Sequence, residues 1–314
     1  MLADGAACAA VYTGSMSGAA APSKSDVHLV DGTYELFRHY YAVPRSQDRA
    51  GLEIGAVRGV LASMLALLRN GATHIGVATD HVIESFRNEM WHGYKRGDGI
   101  DPDLLAQFEP LERALETMGI VVWPMREYEA DDALASAAAG LTSDQEVGRV
   151  FICTPDKDLA QCVVDNRVVQ LDRRARTVRG VGGVLEKFGV LPASIPDYLA
   201  LVGDSADGYP GVVGWGAKSS SMLLRHYGYL EAIPRTSDAW QVQVRGANRL
   251  AVALTESWDD ALLFRDLATL RTDAVVATAE ALRWEGPTDG FVALADHLGA
   301  SQLAEQAAAL AAAR

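Results

Sequence analysis

Val27-His28-Leu29-Val30-Asp31 is a short, mostly apolar run closed by a carboxylate, and a helical pattern takes over from about Thr33. Such a run reads as a buried strand whose last residue stands at the edge of a sheet. The unit recurs along the chain. His74–Asp80 is a second strand ending in Asp; residues 119–125 form a third. Residues 149–154 form a fourth, which runs into Pro155-Asp156-Lys157-Asp158, and residues 168–172 a fifth. Helical spacing separates them: Val57, Leu61, Met64, Leu65 and Leu68 within 54–69, an amphipathic stretch over 103–118, and an Ala-rich one over 129–139. Strands alternating with helices predict an α/β fold with a mostly parallel central sheet covered on both faces. Sites in such sheets form at the carboxyl ends of the strands. Four of the five strands carry acidic residues at or shortly after that end.

Beyond residue 181 strand signals disappear. Residues 182–232 read as helices with Gly-rich turns, and 236–314 as helical, Ala-rich and mildly acidic. The expected organisation is a disordered Ala/Gly/Ser-rich tail over 1–25, an α/β domain over 26–181, a helical region over 182–275 and a helical C-terminal segment over 276–314. Met16 is the expected natural start, because the ordered pattern begins near Val27. No apolar run is long enough to span a membrane, and the N-terminus lacks a signal-peptide pattern. Cys8, Cys153 and Cys162 show no metal-ligand spacing, which points to a reducing cytoplasm and away from disulfides or zinc.

Nine carboxylates are candidate metal ligands: Asp31, Asp80, Glu129, Asp131, Asp132, Asp156, Asp158, Asp204 and Asp207. Hard divalent cations such as magnesium and manganese prefer oxygen ligands. Two of them held about 3.5–4 Å apart can activate a water and stabilise a leaving oxygen at a phosphodiester. Glu129 and Asp132 stand one turn apart at a helix start, Asp156 and Asp158 flank one turn residue, and Asp204 and Asp207 repeat the one-turn spacing. Each has a plainer reading. A lone Asp after a strand is usually a helix N-cap, acids in a first helical turn are dipole partners, and Asp204 and Asp207 suit a turn. Convergence of all nine on one sheet edge favours the metal reading. It also bears on the net charge of −13, which is unexpected for a nucleic-acid binder. Acids gathered at cations would leave a surface that is only mildly acidic.

These residues resemble the bacterial 5′–3′ exonucleases, the flap-endonuclease family that includes the N-terminal domain of DNA polymerase I. The matching segments are LVDG at 29–32, ATD at 78–80, EYEADD at 127–132, TPDKDL at 154–159, DYLALVGDSADGYPGVVGWGAKS at 197–219 and LATLRTD at 267–273. The resemblance implies a PIN-like nuclease fold followed by a helix–three-turn–helix element that binds duplex. It also implies structure-selective cutting of DNA at 5′ flaps, ends and single/double-strand junctions in replication and repair, leaving a 5′-phosphate and a 3′-hydroxyl. By position, all nine acids match family metal-site acids, with Asp204 and Asp207 at the second site. The implied cofactors are two or more Mg2+ or Mn2+, with K+ at the helix–three-turn–helix. A monomer is expected. Alternatives in view are removal of RNA primers from RNA–DNA hybrids, and a junction-binding protein that does not cut.

The element matched by Gly211, Gly214, Gly216 and Lys218 has a plain logic. Glycines let backbone approach a phosphate, the amides of the next helix attract it, and Lys218 adds charge. A P-loop fails here because Ala217 breaks the Gly-Lys-Ser spacing and a helix precedes the turn. Ser85-Phe86-Arg87 through Tyr94-Lys95-Arg96 resembles the family's gateway segment, which implies that Arg87 and Lys95 grip the scissile phosphate. Phe86, Trp91 and Tyr94 either stack on unpaired bases or pack inward. Where the family often has an Arg three residues after the Lys, this chain has Asp98, so either Arg96 substitutes as a DNA contact or the phosphate is clamped with fewer cations. Pro155 stands where many relatives have Gly. Arg173, Arg174, Arg176 and Arg179 are either a solvated hairpin face or a duplex contact.

Overall fold

The computed structural model describes residues 24–314; the tail over 1–25 and the Met16 start fall outside the described residues, except that Ser25 already opens the first strand. The sheet has six strands: β1 (Ser25–Asp31), β2 (His74–Asp80), β3 (Val121–Met125), β4 (Val147–Cys153), β5 (Val168–Asp172) and β6 (Thr177–Arg179), in the order β3-β2-β1-β4-β5-β6. β1 to β5 are parallel, as expected, with Leu29 beside Gly76 on one side and Ile152 on the other. The short antiparallel β6 was not expected. It is a three-residue edge strand, closed on β5 by a hairpin in which Arg176 takes a positive φ of 56°. So short a run carries no readable alternation.

Alternation along the buried strands sends successive side chains to opposite faces. Val30, Ile75 and Val77 pack with α1 (Gly32–Ala42), α2 (Gly55–Arg69) and their neighbours, while Val27, Leu29 and Ala78 pack elsewhere. After β2 come α3 (Arg87–Met90), α4 (Pro102–Leu105) and α5 (Phe108–Thr117). The single helix expected over 103–118 is therefore two, and the Gln107 side chain fills the break, accepting hydrogen bonds from the Ala56 and Val57 amides. α6 (Ala130–Thr142) covers the face of Val27 and Leu29.

The helical region holds α7 (Val181–Phe188), α8 (Ile195–Val202), α9 (Ala217–Tyr227), α10 (Ala247–Glu256) and α11 (Trp258–Ala268) around a core of its own that includes Leu199, Leu223, Leu254 and Phe264. The last segment, α12 (Ala279–Leu282), α13 (Gly290–His297) and α14 (Ser301–Ala312), returns to the α/β body. Trp284, Phe291, Ala295, Leu298, Ala304 and Ala307 join the core of α2 and α5, and the Trp284 indole donates to the Met118 carbonyl at 2.8 Å. No helix among the described residues is long and apolar enough to cross a membrane.

Candidate metal centre

The strand ends bring the acids together. Asp31 closes β1 and Asp80 closes β2, side by side at one edge of the sheet. Both also act as helix caps. Asp31 Oδ1 accepts from the Tyr34 amide at 2.8 Å, and Asp80 Oδ1 accepts from the Ala130 amide at 2.7 Å. Capping consumes one oxygen of each. The other Asp31 oxygen accepts from the Thr154 hydroxyl at 3.0 Å, which ties β1 to the turn after β4. Burial pushes Asp31 up to about 7, with the Asp80 and Asp156 carboxylates adding to the rise; burial raises Asp80 as well.

Two carboxylate triads follow. Asp131, Asp156 and Asp158 each offer an oxygen within 4.8 Å of the others, and so do Asp158, Asp204 and Asp207. Asp158 belongs to both. Its backbone amide donates to Asp156 Oδ1 at 2.9 Å, which turns the two side chains into one crevice, while its own buried Oδ1 has no hydrogen-bond partner among the described residues. Burial raises the Asp131 and Asp158 pKa values well above the ordinary range, and the neighbouring carboxylates push in the same direction. A buried oxygen without a donor, inside a set of like charges, is costly unless a cation supplies the missing partner. The residues therefore fit hard divalent cations, whose preferred ligands are carboxylate oxygens. The site is an open edge, unlike a cavity of about 500 Å³ beside Thr73, Arg283 and Trp284 at the amino end of the strands.

Two of the nine expected ligands have other employment. Asp132 is fully buried, and its carboxylate accepts from Arg87 Nη1 at 2.7 Å, Arg87 Nη2 at 2.8 Å, the Glu129 amide at 3.0 Å and the Arg271 amide at 2.8 Å. Four donors fill its lone pairs, so it is a structural acid. Glu129 receives the Ser85 hydroxyl at 2.6 Å and the Lys95 ammonium at 2.6 Å. Burial works against its charge, yet Lys95 and Arg87 pull its pKa down to about 2. It anchors cations and stands outside both triads.

Arg87 corrects the expectation of a phosphate clamp. Its side chain is 1 % exposed, and beyond its bonds to Asp132 and Glu129 it donates to the Leu267 carbonyl at 2.8 Å and the Thr269 carbonyl at 3.2 Å. Every nitrogen is committed inside the protein, fastening α6 to the end of α11. Lys95 is different. Its ammonium sits between Glu129 and Asp207 (3.3 Å), stays partly open to solvent, and is held well above the usual lysine range by those acids in spite of its burial. Its amide donates to the Asp207 carbonyl, and the Trp91 indole to the Gly208 carbonyl, which docks the gateway segment on the α8–α9 turn. The aromatics pack inward: Tyr94 is buried, Trp91 meets Phe264 edge-on at 5.3 Å and Phe86 meets Tyr128 at 5.7 Å. Arg96 is exposed.

The α8–α9 turn is built on glycine. Gly203 (φ 80°) and Gly211 (φ 69°) pass so closely that a Cβ on Gly211 would lie 2.3 Å from the Gly203 nitrogen. A Cβ on Gly216 would meet open space and one on Gly214 only ordinary contacts with Leu250 and Arg249 at 3.9–4.0 Å; both glycines are exposed, as is Lys218 in the first turn of α9. Among the hairpin arginines, Arg173 is tied to buried Glu35 at 3.2 Å and to the Ser63 carbonyl, whereas Arg174 and Arg176 are exposed. Sequence reading missed Lys157, which pairs with Asp204 at 2.5 Å, although its place between two candidate acids was a signal. It also passed over His81, next to Asp80, whose Nδ1 donates to buried Glu112 at 2.7 Å while its Nε2 accepts from Arg126 at 2.7 Å. Nothing local marked that pairing.

Residues 26–189 match the family of 5′–3′ exonuclease N-terminal resolvase-like domains, and 190–289 the 5′–3′ exonuclease C-terminal SAM fold. The chain belongs to the 5′–3′ exonuclease family. Relatives of this exonuclease-family chain include DNA polymerase I of Pseudomonas aeruginosa, 36% identical over 80% of this chain and 28% of that protein. Another is DNA polymerase I of Mycobacterium bovis, 34% identical over 84% of this chain and 30% of that protein. The chain thus spans less than a third of the curated relatives it matches. Its fold is similar to the bacteriophage T5 5′-exonuclease (TM-score 0.60, 19% identity, 92% of this chain and all of that one). It is also similar to flap endonuclease-1 from Methanococcus jannaschii (TM-score 0.59, 15% identity, 93% and 94%). The α/β body is accordingly the PIN-like nuclease fold of the 5′–3′ exonucleases, and the helical region their SAM-like fold.

Proposed function

We propose that this 5′–3′ exonuclease-family chain hydrolyses phosphodiesters in DNA at 5′ flaps, ends and single/double-strand junctions, leaving a 5′-phosphate and a 3′-hydroxyl. The observation that carries the reading is Asp158, shared by two carboxylate triads and holding a buried oxygen with no donor among the described residues. Asp131, Asp156 and Asp158 with Asp31 and Asp80 would hold one divalent cation, and Asp158, Asp204 and Asp207 the second, both Mg2+ or Mn2+. Such ions, when bound, polarise a phosphodiester and activate water.

The chain's own residues do the rest. Glu129 and Asp207 hold Lys95 charged and aimed, so that its partly open ammonium meets negative charge developing on a phosphate. The exposed turn through Gly214 and Gly216, with Lys218 and exposed Arg96, would take the duplex backbone without reading sequence. We place a K+ ion at the Gly211 turn. Residues 26–181 would carry most of the chemistry, completed by Asp204 and Asp207 of the 182–275 region that also grips the duplex, in a monomer working in the cytoplasm on repair and replication intermediates. A bacteriophage T5 flap endonuclease of the same fold (TM-score 0.62, 17% identity) has been seen as a pseudo-enzyme–product complex with DNA and metal ions, which favours this reading.

The test is a labelled 5′ flap incubated with Mg2+, Mn2+ or chelator, beside an RNA–DNA hybrid. We expect metal-dependent release of the flap, lost in Asp156→Asn and Asp158→Asn while both variants keep the wild-type circular dichroism. A fully active Asp156→Asn/Asp158→Asn double variant, or binding of the flap with no product in Mn2+, refutes it.

A further inference from the structure

One buried hydroxyl beside the second triad has no hydrogen-bond partner among the described residues. Tyr209 is 2 % exposed, and its Oη makes no hydrogen bond among the described residues, a rare condition for a buried phenol. Its placement is set by the backbone. Asp204 and Tyr209 form an isolated antiparallel bridge: the Asp204 amide donates to the Tyr209 carbonyl at 2.8 Å and the Tyr209 amide to the Asp204 carbonyl at 3.0 Å. Residues directly opposite in such a bridge send their side chains to the same face. The phenol therefore stands with the Asp204 carboxylate, and its ring is stacked on Phe264 at 5.6 Å, 22° from parallel. The acids that bear on it electrostatically are Asp158, Asp204 and Asp207, the three members of that triad; with burial they raise its pKa. Asp158 Oδ1 is the other unpartnered buried oxygen here. A donor beside the triad and an acceptor within it are thus both unsatisfied.

We propose that Tyr209 is a positioning residue of the second cation site, its hydroxyl donating a hydrogen bond into the hydration shell of the divalent ion held by Asp158, Asp204 and Asp207. The inference rests on the metal reading given above. The hydroxyl has a proton to give and no other taker. Its ring is stacked on Phe264, which holds the hydroxyl oxygen in place before the ion arrives, while the O–H turns toward its acceptor. Partners of this outer kind are worth about 10–100-fold in metal affinity when removed. Asp158 is common to both triads, so a hydrogen bond that fixes the second ion also fixes the spacing between the two.

The discriminating variant is Tyr209→Phe, which keeps the ring and removes one oxygen. Mn2+ binding is measured on the whole chain by calorimetry, without DNA, together with thermal unfolding in chelator. We expect wild type to bind Mn2+ in two classes. Tyr209→Phe should weaken one class about 10–100-fold and leave the other within twofold. A hydroxyl that bonds nothing in the metal-free protein contributes nothing to its fold, so unfolding in chelator should be unchanged or shifted upward. Two unchanged Mn2+ classes in Tyr209→Phe overturn the inference and leave the metal reading standing. A fall in unfolding temperature in chelator also overturns it, since the hydroxyl then has a structural partner. Wild-type protein that binds no Mn2+ overturns the metal reading itself, and this inference with it.

Discussion

Arg87→Ala separates the structural account of the gateway from the phosphate-clamp account. In the folded chain Asp132 accepts four hydrogen bonds, two of them from the Arg87 guanidinium. Truncation leaves a fully buried carboxylate facing only two amides, and also strips donors from the Leu267 and Thr269 carbonyls. Removing one member of a buried ion pair costs about 3–5 kcal/mol, because the remaining charge stays buried. At about 4 kcal/mol the ratio of folded to unfolded protein falls roughly a thousandfold, and the unfolding temperature drops on the order of 10 °C. The measurement is thermal and urea unfolding in chelator. Arg87→Met/Asp132→Leu, which removes both charges, should recover most of the loss, since an apolar pair of similar volume often replaces a buried ion pair without penalty. An Arg87→Ala protein within about 1 kcal/mol of wild type, yet a hundredfold or more slower at cutting a flap, would refute the reasoning and restore Arg87 to the phosphate.

Further outcomes follow from the site and from the α8–α9 turn. The carboxyl of Asp31, raised to about 7 against an unfolded value near 3.9, contributes stability below about pH 4 and loses it as pH rises through 7. Metal-free protein should therefore weaken over that window while cation binding tightens. Near pH 6, Mn2+ uptake should release protons, seen as calorimetric heats that change with the buffer's ionisation enthalpy; heats independent of the buffer contradict this. Glu129, depressed to about 2, has the opposite sign: its share of stability is present above about pH 4.3 and is lost as pH falls through 2. Lys218→Ala should weaken flap binding equally for all sequences and lower the slope of log affinity against log salt by about one, read by fluorescence anisotropy; an unchanged slope removes Lys218 from the duplex contact. Gly211→Ala, at φ 69° with its Cβ against the Gly203 nitrogen, should cost several kcal/mol in urea unfolding, while Gly216→Ala, which meets nothing within 4 Å, should cost under about 1 kcal/mol.

Strand order aside, much of the α/β body was legible from the chain alone. Its strands are short, largely apolar runs that end in or lead shortly into acidic residues, and such runs suit a parallel sheet with its acids at one edge. Asp156, Asp158, Asp204 and Asp207 were legible for the same reason: they are local pairs on turns, and a local spacing survives folding. The break at Gln107, the edge strand β6 and the return of α12 to α14 onto the α/β body were not, because each depends on a surface that exists only after packing.

Within the site the division is sharper. Sequence alone determined which residue types meet, namely many carboxylates and a few cations, because motif spacing and strand endings are properties of the chain. Only the tertiary structure decided which acid answers which cation. Asp132 belongs to Arg87, 45 positions away, and Glu129 to Lys95, leaving Asp131, Asp156 and Asp158 free to gather around an unpartnered oxygen. The physical reason is desolvation. In water these acids are interchangeable, but once buried each must find a donor or a cation within about 3 Å. Which one it finds depends on where the far end of the chain comes to rest.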